Sequence, residues 1–536
     1  MLKQLFCLQT KTVSFAALIL GVSALISRFL GLIRDRLLAG TFGAGETLDV
    51  YFAAFRIPDF VYGILIMGGV TAVFLPVFAE AFKKSEQEAW ALVNNALNCF
   101  LVLLVAVCGI LAVFTPFLMD LIAPGFNAEQ KVLAISLTRI MFLSPIFLGM
   151  SAIFSGILHY FNHFFAYSII PIFYNLGIIC GILFFVPVFG VWGLVYGVIL
   201  GAFFHLIVQI PIAMVSGFRY KPVFNFKYPG IIKIFKLMIP RTIGTAAYNL
   251  NLIVITAIAS TLAVGSIAIF NFANNIQYMP IGIVGASFAV AVFPFLSRAW
   301  VNGQKHEFLD NFSLSLRQMA FLIIPISLFL FLLRTQIIHL ILGTGEFTWQ
   351  DTRLTAAVLG LFCLGIFAAS FIPFLARVFY SFQNTKIPVS ISFVSMSLNV
   401  ALAFLFVFLL GFANPFRGFL ADTMNLADIK DISIIGLPLA MSVSGVFQCF
   451  MLLFFLRKTL GHIRLKEIGR SFLKIILATT ISGAAVYFTL KFFISGILIQ
   501  TIAAGIAGIL IYLFLCYLLK SPEIKIIIRR LSTNVK

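Results

Sequence analysis

Fourteen apolar stretches run through the chain, centred near Leu20, Leu65, Val105, Pro145, Ile178, Val198, Ile253, Val284, Ile324, Cys363, Ala401, Ser444, Ser482 and Ile509. A helix needs roughly 20 apolar residues to cross a hydrocarbon core, and these runs approach that length. They far exceed the ~10-residue alternating segments of an outer-membrane barrel. The pattern predicts an all-α polytopic membrane protein with about fourteen transmembrane helices. The first stretch, Val13 to Ile33, carries Arg28 and lacks a small-residue cleavage site, so it reads as a retained helix and not a signal peptide.

The polar connections orient the spans. Lys and Arg gather in alternate connections by about three to one, which predicts both termini on the cytoplasmic side. The strongest basic loops run from Arg219 to Lys236 and from Arg457 to Lys474, and the tail from Lys520 to Arg530 is also basic. These segments fit a surface of anionic lipid headgroups. The connection from Ala413 to Ile432 is more acidic, with Asp422, Asp428 and Asp431 against Arg417 and Lys430. It reads as a surface excursion, with a lid as the alternative.

Composition sharpens this picture. At 62% hydrophobic and 10% charged over 536 residues, the chain cannot clothe a water-soluble core. The net charge of +19 is then the mark of topology-setting loops, and nucleic acid is not an expected partner. Seven scattered cysteines without a CxxC pair predict no disulfide framework and no metal site. His159 and His163 stand four residues apart, as metal ligands can, but no third ligand is near; interfacial aromatic packing is the preferred reading. No Walker, HExxH or GxSxG sequence occurs, and the loops are too short for an ATPase domain, so neither a cofactor nor ATP hydrolysis is expected.

An internal echo appears at an offset of 219 residues. Ala54, Ile57, Gly63, Ile64, Ala72, Val73 and Phe74 recur as Ala273, Ile276, Gly282, Ile283, Ala291, Val292 and Phe293. The echo predicts a parallel repeat of two six-helix lobes, residues 1–225 and 226–460, followed by two extra helices and a basic tail over 461–536. Gly177 with Gly181, and Gly193 with Gly197 and Gly201, have the spacing that lets membrane helices approach closely.

Ionisable residues inside a bilayer are costly and therefore informative. They are densest from Ser27 and Arg28 through Arg34, Asp35 and Arg36, continuing at Asp49, Arg56 and Asp59. On a helix, Asp35 nearly shares the face of Arg28, while Arg34 lies roughly 120° away, so both arginines can border one wide cavity. Arg suits an anion site because its fork of donors grips phosphate oxygens and stays charged. Capping of helix one at the outer interface is the alternative for Arg34, Asp35 and Arg36. Arg241, directly after Pro240, marks the corresponding region of the second half, either as an anion ligand or as an interfacial side chain. An internal ion pair is the plain reading of Arg56 and Asp59.

The run Ser27-Arg28-Phe29-Leu30-Gly31-Leu32-Ile33-Arg34-Asp35, followed by Phe42-Gly43-Ala44-Gly45, Asp49 and Phe55-Arg56-Ile57-Pro58-Asp59, closely resembles the MurJ (MviN) family of lipid II flippases. Phe272-Ala273-Asn274-Asn275, Gly345-Glu346-Phe347 and the stretch from Ala376 to Thr385 extend the likeness. The resemblance implies the fold of the multidrug/oligosaccharidyl-lipid/polysaccharide exporters. It also implies an undecaprenyl-pyrophosphate-linked glycopeptide lipid as substrate, moved between leaflets by alternating access, and admits cell-wall synthesis machinery as a partner. On this resemblance Arg28 and Arg34 match cavity arginines for the pyrophosphate, and Ser27, Asp35 and Asp49 match their polar neighbours. The sequence departs from the family pattern at Tyr62-Gly63, at Met67 and at Asn275, where the resemblance leads one to expect charged residues, and at Ile255 and Ala403, where it leads one to expect sodium-site carboxylates. Asn399 keeps one polar position. These departures weigh against the standard pyrophosphate clamp and against sodium coupling, and cast Arg241 as a compensating charge. A flippase for another polyprenyl-linked glycan, a drug/cation antiporter and a membrane-embedded lipid-modifying enzyme are the alternatives. The last would need paired acid/base or metal residues, and the antiporter an intramembrane carboxylate.

Overall fold

The computed structural model describes residues 13–461, 463–493 and 496–524, with the side chains at 13–18, 67–69, 71–72, 240–241 and 243–245 outside the description. The described chain is helical. Ten helices are long and apolar enough to cross a membrane, or eleven when Trp349–Cys363 and Ile366–Ser381, bent by 46° at their junction, serve as one span. The other three expected stretches fall on helices Val13–Phe42, Glu46–Lys84 with its internal wide turn, and Pro229–Ser260, each of which carries charge. The protein is thus an all-α, multi-pass membrane protein.

The chain divides into two compact units, Met1–Ala268 and Ile269–Lys536. The principal helices of the first are α1 (Val13–Phe42), α2 (Glu46–Val61), α3 (Thr71–Lys84), α4 (Glu86–Ile122), α5 (Ala128–Met141), α6 (Leu143–Tyr160), α7 (Phe164–Cys180), α8 (Val191–Ile207) and α9 (Pro229–Ser260). Between α2 and α3 the backbone widens into a π-helical turn, Tyr62–Val70. Such turns insert extra backbone into an α-helix and frequently mark functional positions. The second unit is entered through α10 (Ser266–Pro280), a π-helical turn over Ile281–Ala286 and α11 (Ser287–Val301). The order helix, wide turn, helix therefore recurs, with the second wide turn beginning 219 residues after the first.

Glycine spacing sets the tightest helix contact of the first unit. A Cβ built on Gly177 would lie 2.2 Å from Gly201 Cα, and one on Gly181 would lie 2.4 Å from Gly197 Cα. The helices α7 and α8 thus meet backbone to backbone, as the small-residue spacing predicts. Below this seam a polar network joins α6 to α8: Ser151 contacts His205 Nδ1 at 2.7 Å, Ser155 donates to Gln209 Oε1 at 2.9 Å, and Gln209 donates to Ser151.

Prolines inside the helices free carbonyls that would otherwise accept from the residue four positions on. At Pro58 and Pro116 of the first unit a side chain of a neighbouring helix reaches the freed carbonyl. Pro58 frees Ala54, whose carbonyl lies 3.2 Å from the Thr138 hydroxyl; Pro116 frees Ala112, which accepts from Arg139 Nε at 3.0 Å.

The second unit repeats the device. Its remaining principal helices are α12 (Lys305–Leu332), α13 (Trp349–Cys363), α14 (Ile366–Ser381), α15 (Lys386–Leu410), α16 (Gly436–Leu460), α17 (Leu465–Phe492) and α18 (Ile497–Leu518). Pro325 frees the Phe321 carbonyl of α12, and the Tyr512 hydroxyl of α18 donates to it at 2.8 Å. Beyond α18, buried Glu523 accepts from Ser471 of α17 at 2.8 Å and from Ser521 at 2.5 Å, with Arg317 of α12 3.7 Å away. The acidic connection after α15 is anchored too. It contains a helix, Pro415–Met424, and Arg353 at the start of α13 grips both Asp428 oxygens and the Asn425 carbonyl. That hydrogen bond from Arg353 holds the Asp428 carboxyl below its usual range.

The glycine seam gives a direct stability test. Gly197→Leu forces a side chain into the Gly181 backbone and is expected to cost about 2 kcal/mol or more, read as a lowered midpoint of thermal unfolding in detergent. Gly109→Leu, where a Cβ meets nothing within 4 Å, is the matched control and leaves the midpoint in place.

Candidate functional site

The charged segment of α1 is where helix geometry and membrane cost collide. Asp35 is 2% exposed, and Arg34 turns back on it: Arg34 Nε and Nη2 both reach Asp35 Oδ1, at 3.0 and 2.8 Å. The third guanidinium nitrogen, Nη1, lies 3.4 Å from Asn175 Oδ1 on α7. The Asn175 amide in turn donates to Ser27, at 3.2 Å to its hydroxyl and 3.3 Å to its carbonyl, and to Pro171 O at 3.1 Å. One asparagine thus connects Ser27 and Arg34, which lie two turns apart on α1. A turn further along, Ser23 donates to Ser168 of α7 at 2.9 Å. Arg28 lies between these contacts and is half-buried.

This arrangement holds a cation ready without leaving it uncompensated. Asp35 offsets the Arg34 charge when nothing else is bound, which spares the unit an unpaired charge in a low-dielectric setting. The Arg34 side chain as a whole keeps 22% exposure while its three nitrogens contact Asp35 and Asn175. A fork oriented by two fixed acceptors is suited to the oxygens of a phosphate.

Asp49 occupies a different setting. It is 5% exposed on α2, and its carboxylate accepts the amide N–H groups of Gly265 at 2.7 Å and Ala268 at 2.8 Å, in the first turn of α10. A carboxylate at a helix N-terminus satisfies orphan donors and complements the helix dipole. Gly265 is at φ 88°, and a Cβ there would lie 2.0 Å from the Ala44 carbonyl, so this close approach requires glycine.

Arg56 is also buried, and its Nε donates to Thr256 Oγ1 of α9 at 2.6 Å, tying α2 to α9; Asp59 is exposed. At Gly63 a Cβ would lie 2.7 Å from Asn249 Oδ1, so the amide of α9 fills the space that a side chain at position 63 would need. Arg241 lies on α9, which runs continuously through Pro240, but its side chain is outside the described residues. Asn275 is half-buried on α10 in the second unit. His159 packs edge-on against Tyr167 with ring centroids 4.2 Å apart, and His163 Nε2 lies 3.2 Å from the Ser216 hydroxyl. Among the described residues no group of three or more His, Cys, Asp or Glu is placed to hold a metal ion.

The structure therefore brings Ser27, Arg34 and Asp35 together through Asn175, and sets Asp49 apart as a helix cap. Sequence reasoning passed over Asn175 and Thr256. The signal for Asn175 was present, since it is the one amide side chain in the apolar run Phe164–Cys180.

The capping role is open to measurement. Asp49→Ala is expected to cost about 2–4 kcal/mol, given about 1.5–3 kcal/mol for a hydrogen bond to a charged group. Asp49→Asn, which keeps one acceptor, should lose about half as much. Thermal unfolding in detergent reads both, and an Asp49→Ala midpoint equal to that of the unmodified chain would remove the assignment.

Comparison with known proteins places this geometry in a family. The family model described as "Lipid II flippase MurJ" matches residues 38–414. A probable lipid II flippase MurJ of Buchnera aphidicola subsp. Schizaphis graminum is 31% identical over 384 residues, covering 71% of this chain and 75% of that protein. The lipid II flippase MurJ of Burkholderia cenocepacia is 28% identical over 398 residues, covering 73% and 77%. A solved lipid II flippase MurJ in an inward closed conformation superposes with a TM-score of 0.76 at 25% identity, covering 94% of this chain and 98% of that one. An inward-facing multidrug resistance transporter of the MATE family shares the fold alone, with a TM-score of 0.67 at 14% identity over 84% of this chain and 99% of that one. On a family match covering most of the chain and a relative above 30% identity, the chain belongs to the MurJ family.

Proposed function

We propose that this protein is a lipid II flippase: a transporter, not an enzyme, that carries a polyprenyl-pyrophosphate-linked glycopeptide from the inner to the outer leaflet of the cytoplasmic membrane by alternating access. The observation that carries the reading is the Arg34 fork, held by Asp35 and Asn175 within a chain that matches the MurJ model over residues 38–414. Arg28 and Arg34 bind the pyrophosphate, Ser27 and Asp35 orient them, Asp49 braces the entry to the second half, and Arg241 and Asn275 contribute from the later helices. The proposed architecture has fourteen spans, two six-helix lobes over 1–225 and 226–460, two extra helices with a basic tail over 461–536, and both termini in the cytoplasm.

Physical chemistry supports the division of labour. In the empty state Asp35 satisfies the Arg34 charge. An arriving pyrophosphate competes for the same donors and brings more charge than one carboxylate, so it draws the fork away and engages Arg28 as well. The alternation of access then needs only that the two mouths are not open together. A second reading, a flippase for a different polyprenyl-linked oligosaccharide, is favoured by the uncharged contact of Gly63 with Asn249.

The direct test is rescue of a host depleted of its own lipid II flippase, with labelled precursor measured at the outer leaflet. The unmodified chain should restore labelling. Arg28→Ala and Arg34→Ala should each abolish it at unchanged membrane abundance, with Arg34→Lys a poor substitute because it lacks the planar fork. Normal transport by both alanine variants would discard the site, and rescue of another glycolipid export defect without rescue of lipid II would select the second reading.

Orientation has its own check. Reporters fused after Asp310 and after Lys474 are expected in the cytoplasm, and one placed between Asn425 and Asp431 outside. One reversed reporter in a functional fusion would break the fourteen-span arrangement.

A further inference from the structure

The segment from Arg219 to Lys227, between α8 and α9, is an extended strand of chain laid along α4 and held there by three asparagines. Asn94 donates to the Arg219 carbonyl at 3.0 Å and accepts from the Lys221 amide at 2.7 Å. Asn98 donates to Val223 O at 2.8 Å and accepts from the Tyr220 hydroxyl at 2.9 Å. Asn95 accepts from the Asn225 amide at 2.6 Å. With these groups satisfied by one helix face, the segment is pinned although every residue from 219 to 227 is exposed.

What it exposes is specific. Tyr220, Val223, Phe224 and Phe226 are 62%, 41%, 53% and 42% exposed, and they share one short connection with the cations beside them. Phe226 continues through Phe235 to Phe100, a row of rings that leads from the surface into the core. Among these side chains stand Arg219, Lys221 and Lys227, none of which forms an ion pair among the described residues. The nearest carboxylates on α4 are otherwise engaged: Glu86 accepts from Trp90 and Glu88 from Lys84. The depth is marked as well. Trp90, one turn into α4, stacks on Phe161 at 6.1 Å and lies against Phe82 and Phe218. Such an aromatic cluster beside Lys83 and Lys84 is the signature of the membrane–water interface.

We propose that the Arg219–Lys227 segment is a preorganised clasp for anionic phospholipid, with Arg219, Lys221 and Lys227 on the headgroup phosphates and Tyr220, Phe224 and Phe226 seated at the acyl boundary. Charge complementarity selects this occupant, because Lys221, Lys227 and Arg219, whose Nη1 donates to the Met214 and Phe218 carbonyls, face no carboxylate in an ion pair among the described residues and stand among exposed rings, which matches an anionic interface and leaves a neutral one without a partner for the charges. The asparagine ladder supplies the preorganisation, since a pinned segment loses less freedom on binding than a mobile one. The inference is independent of which glycolipid the protein transports.

The test uses the full chain in vesicles, with a bimane fluorophore on Val223→Cys, an exposed position of the segment outside the proposed contacts, and bromine-labelled acyl chains as quenchers. Dibrominated phosphatidylglycerol is expected to quench at least about twofold more strongly than dibrominated phosphatidylcholine at equal mole fraction. Arg219→Gln with Lys221→Gln and Lys227→Gln should equalise the two lipids, whereas Lys430→Gln in the acidic connection after α15 should leave the difference intact. Asn94→Ala with Asn98→Ala should shrink the difference with all three cations present. Equal quenching by the two lipids in the unsubstituted background overturns the proposal. So does an absence of quenching by either, which would direct the surface to a protein partner.

Discussion

A backbone carbonyl inside a bilayer has no water to turn to, and that constraint organises this protein. Each proline within a membrane helix removes one N–H and frees one carbonyl, and an unsatisfied group in hydrocarbon costs several kcal/mol. Twice the freed oxygen accepts directly from a side chain of another helix, Ala112 from Arg139 and Phe321 from Tyr512, and Ala54 shares the Thr138 hydroxyl with the Ala134 carbonyl of α5. The breaks are therefore joints. Thr138 and Arg139 are adjacent on α5 and serve two different helices, α2 and α4, so a single turn of α5 secures both.

The same economy governs charge. Buried or half-buried ionisable groups here are engaged with specific partners: Arg34 with Asp35 and Asn175, Arg56 with Thr256, Asp49 with two amides, Glu523 with two serines beside Arg317. Engagement fixes side-chain direction, and fixed direction separates a binding site from a scatter of charges. Arg34 differs from the others in pairing with a carboxylate on the neighbouring residue of its own helix.

How far this was legible in the sequence varies with the physics involved. Apolar run length reports directly on helices, so the all-α membrane class and the stretches near Val105, Ile324 or Ile509 were readable from composition along the chain. The segment from Ser27 to Asp35 was readable because charge inside an apolar run is rare for energetic reasons. The contacts between helices were not. Whether Arg34 faces Asn175 depends on the rotation of α7, and whether Asp49 faces solvent or an amide depends on chain 216 residues away. The wide turns were invisible as well. Periodicity assumes a constant rise, and although Tyr62–Val70 and Ile281–Ala286 contain glycines and the second follows Pro280, glycine and proline also occur in the regular helices and do not by themselves signal a wider turn. Glycine spacing was the exception among tertiary signals, since absence of a side chain at Gly177, Gly181, Gly197 and Gly201 permits only close approach.

The cap at Asp49 also sets a schedule. Its partners, the amides of Gly265 and Ala268, are synthesised more than 200 residues later, a delay of about 10–40 s at roughly 5–20 residues per second. Throughout that interval α2 carries a carboxylate with no amide to receive it, and water is the only available ligand. The contact that fixes Asp49 in α2 can therefore form only once the chain has reached α10. The first unit, Met1–Ala268, is in this sense closed by its own last residues, which begin the helix that leads into the second.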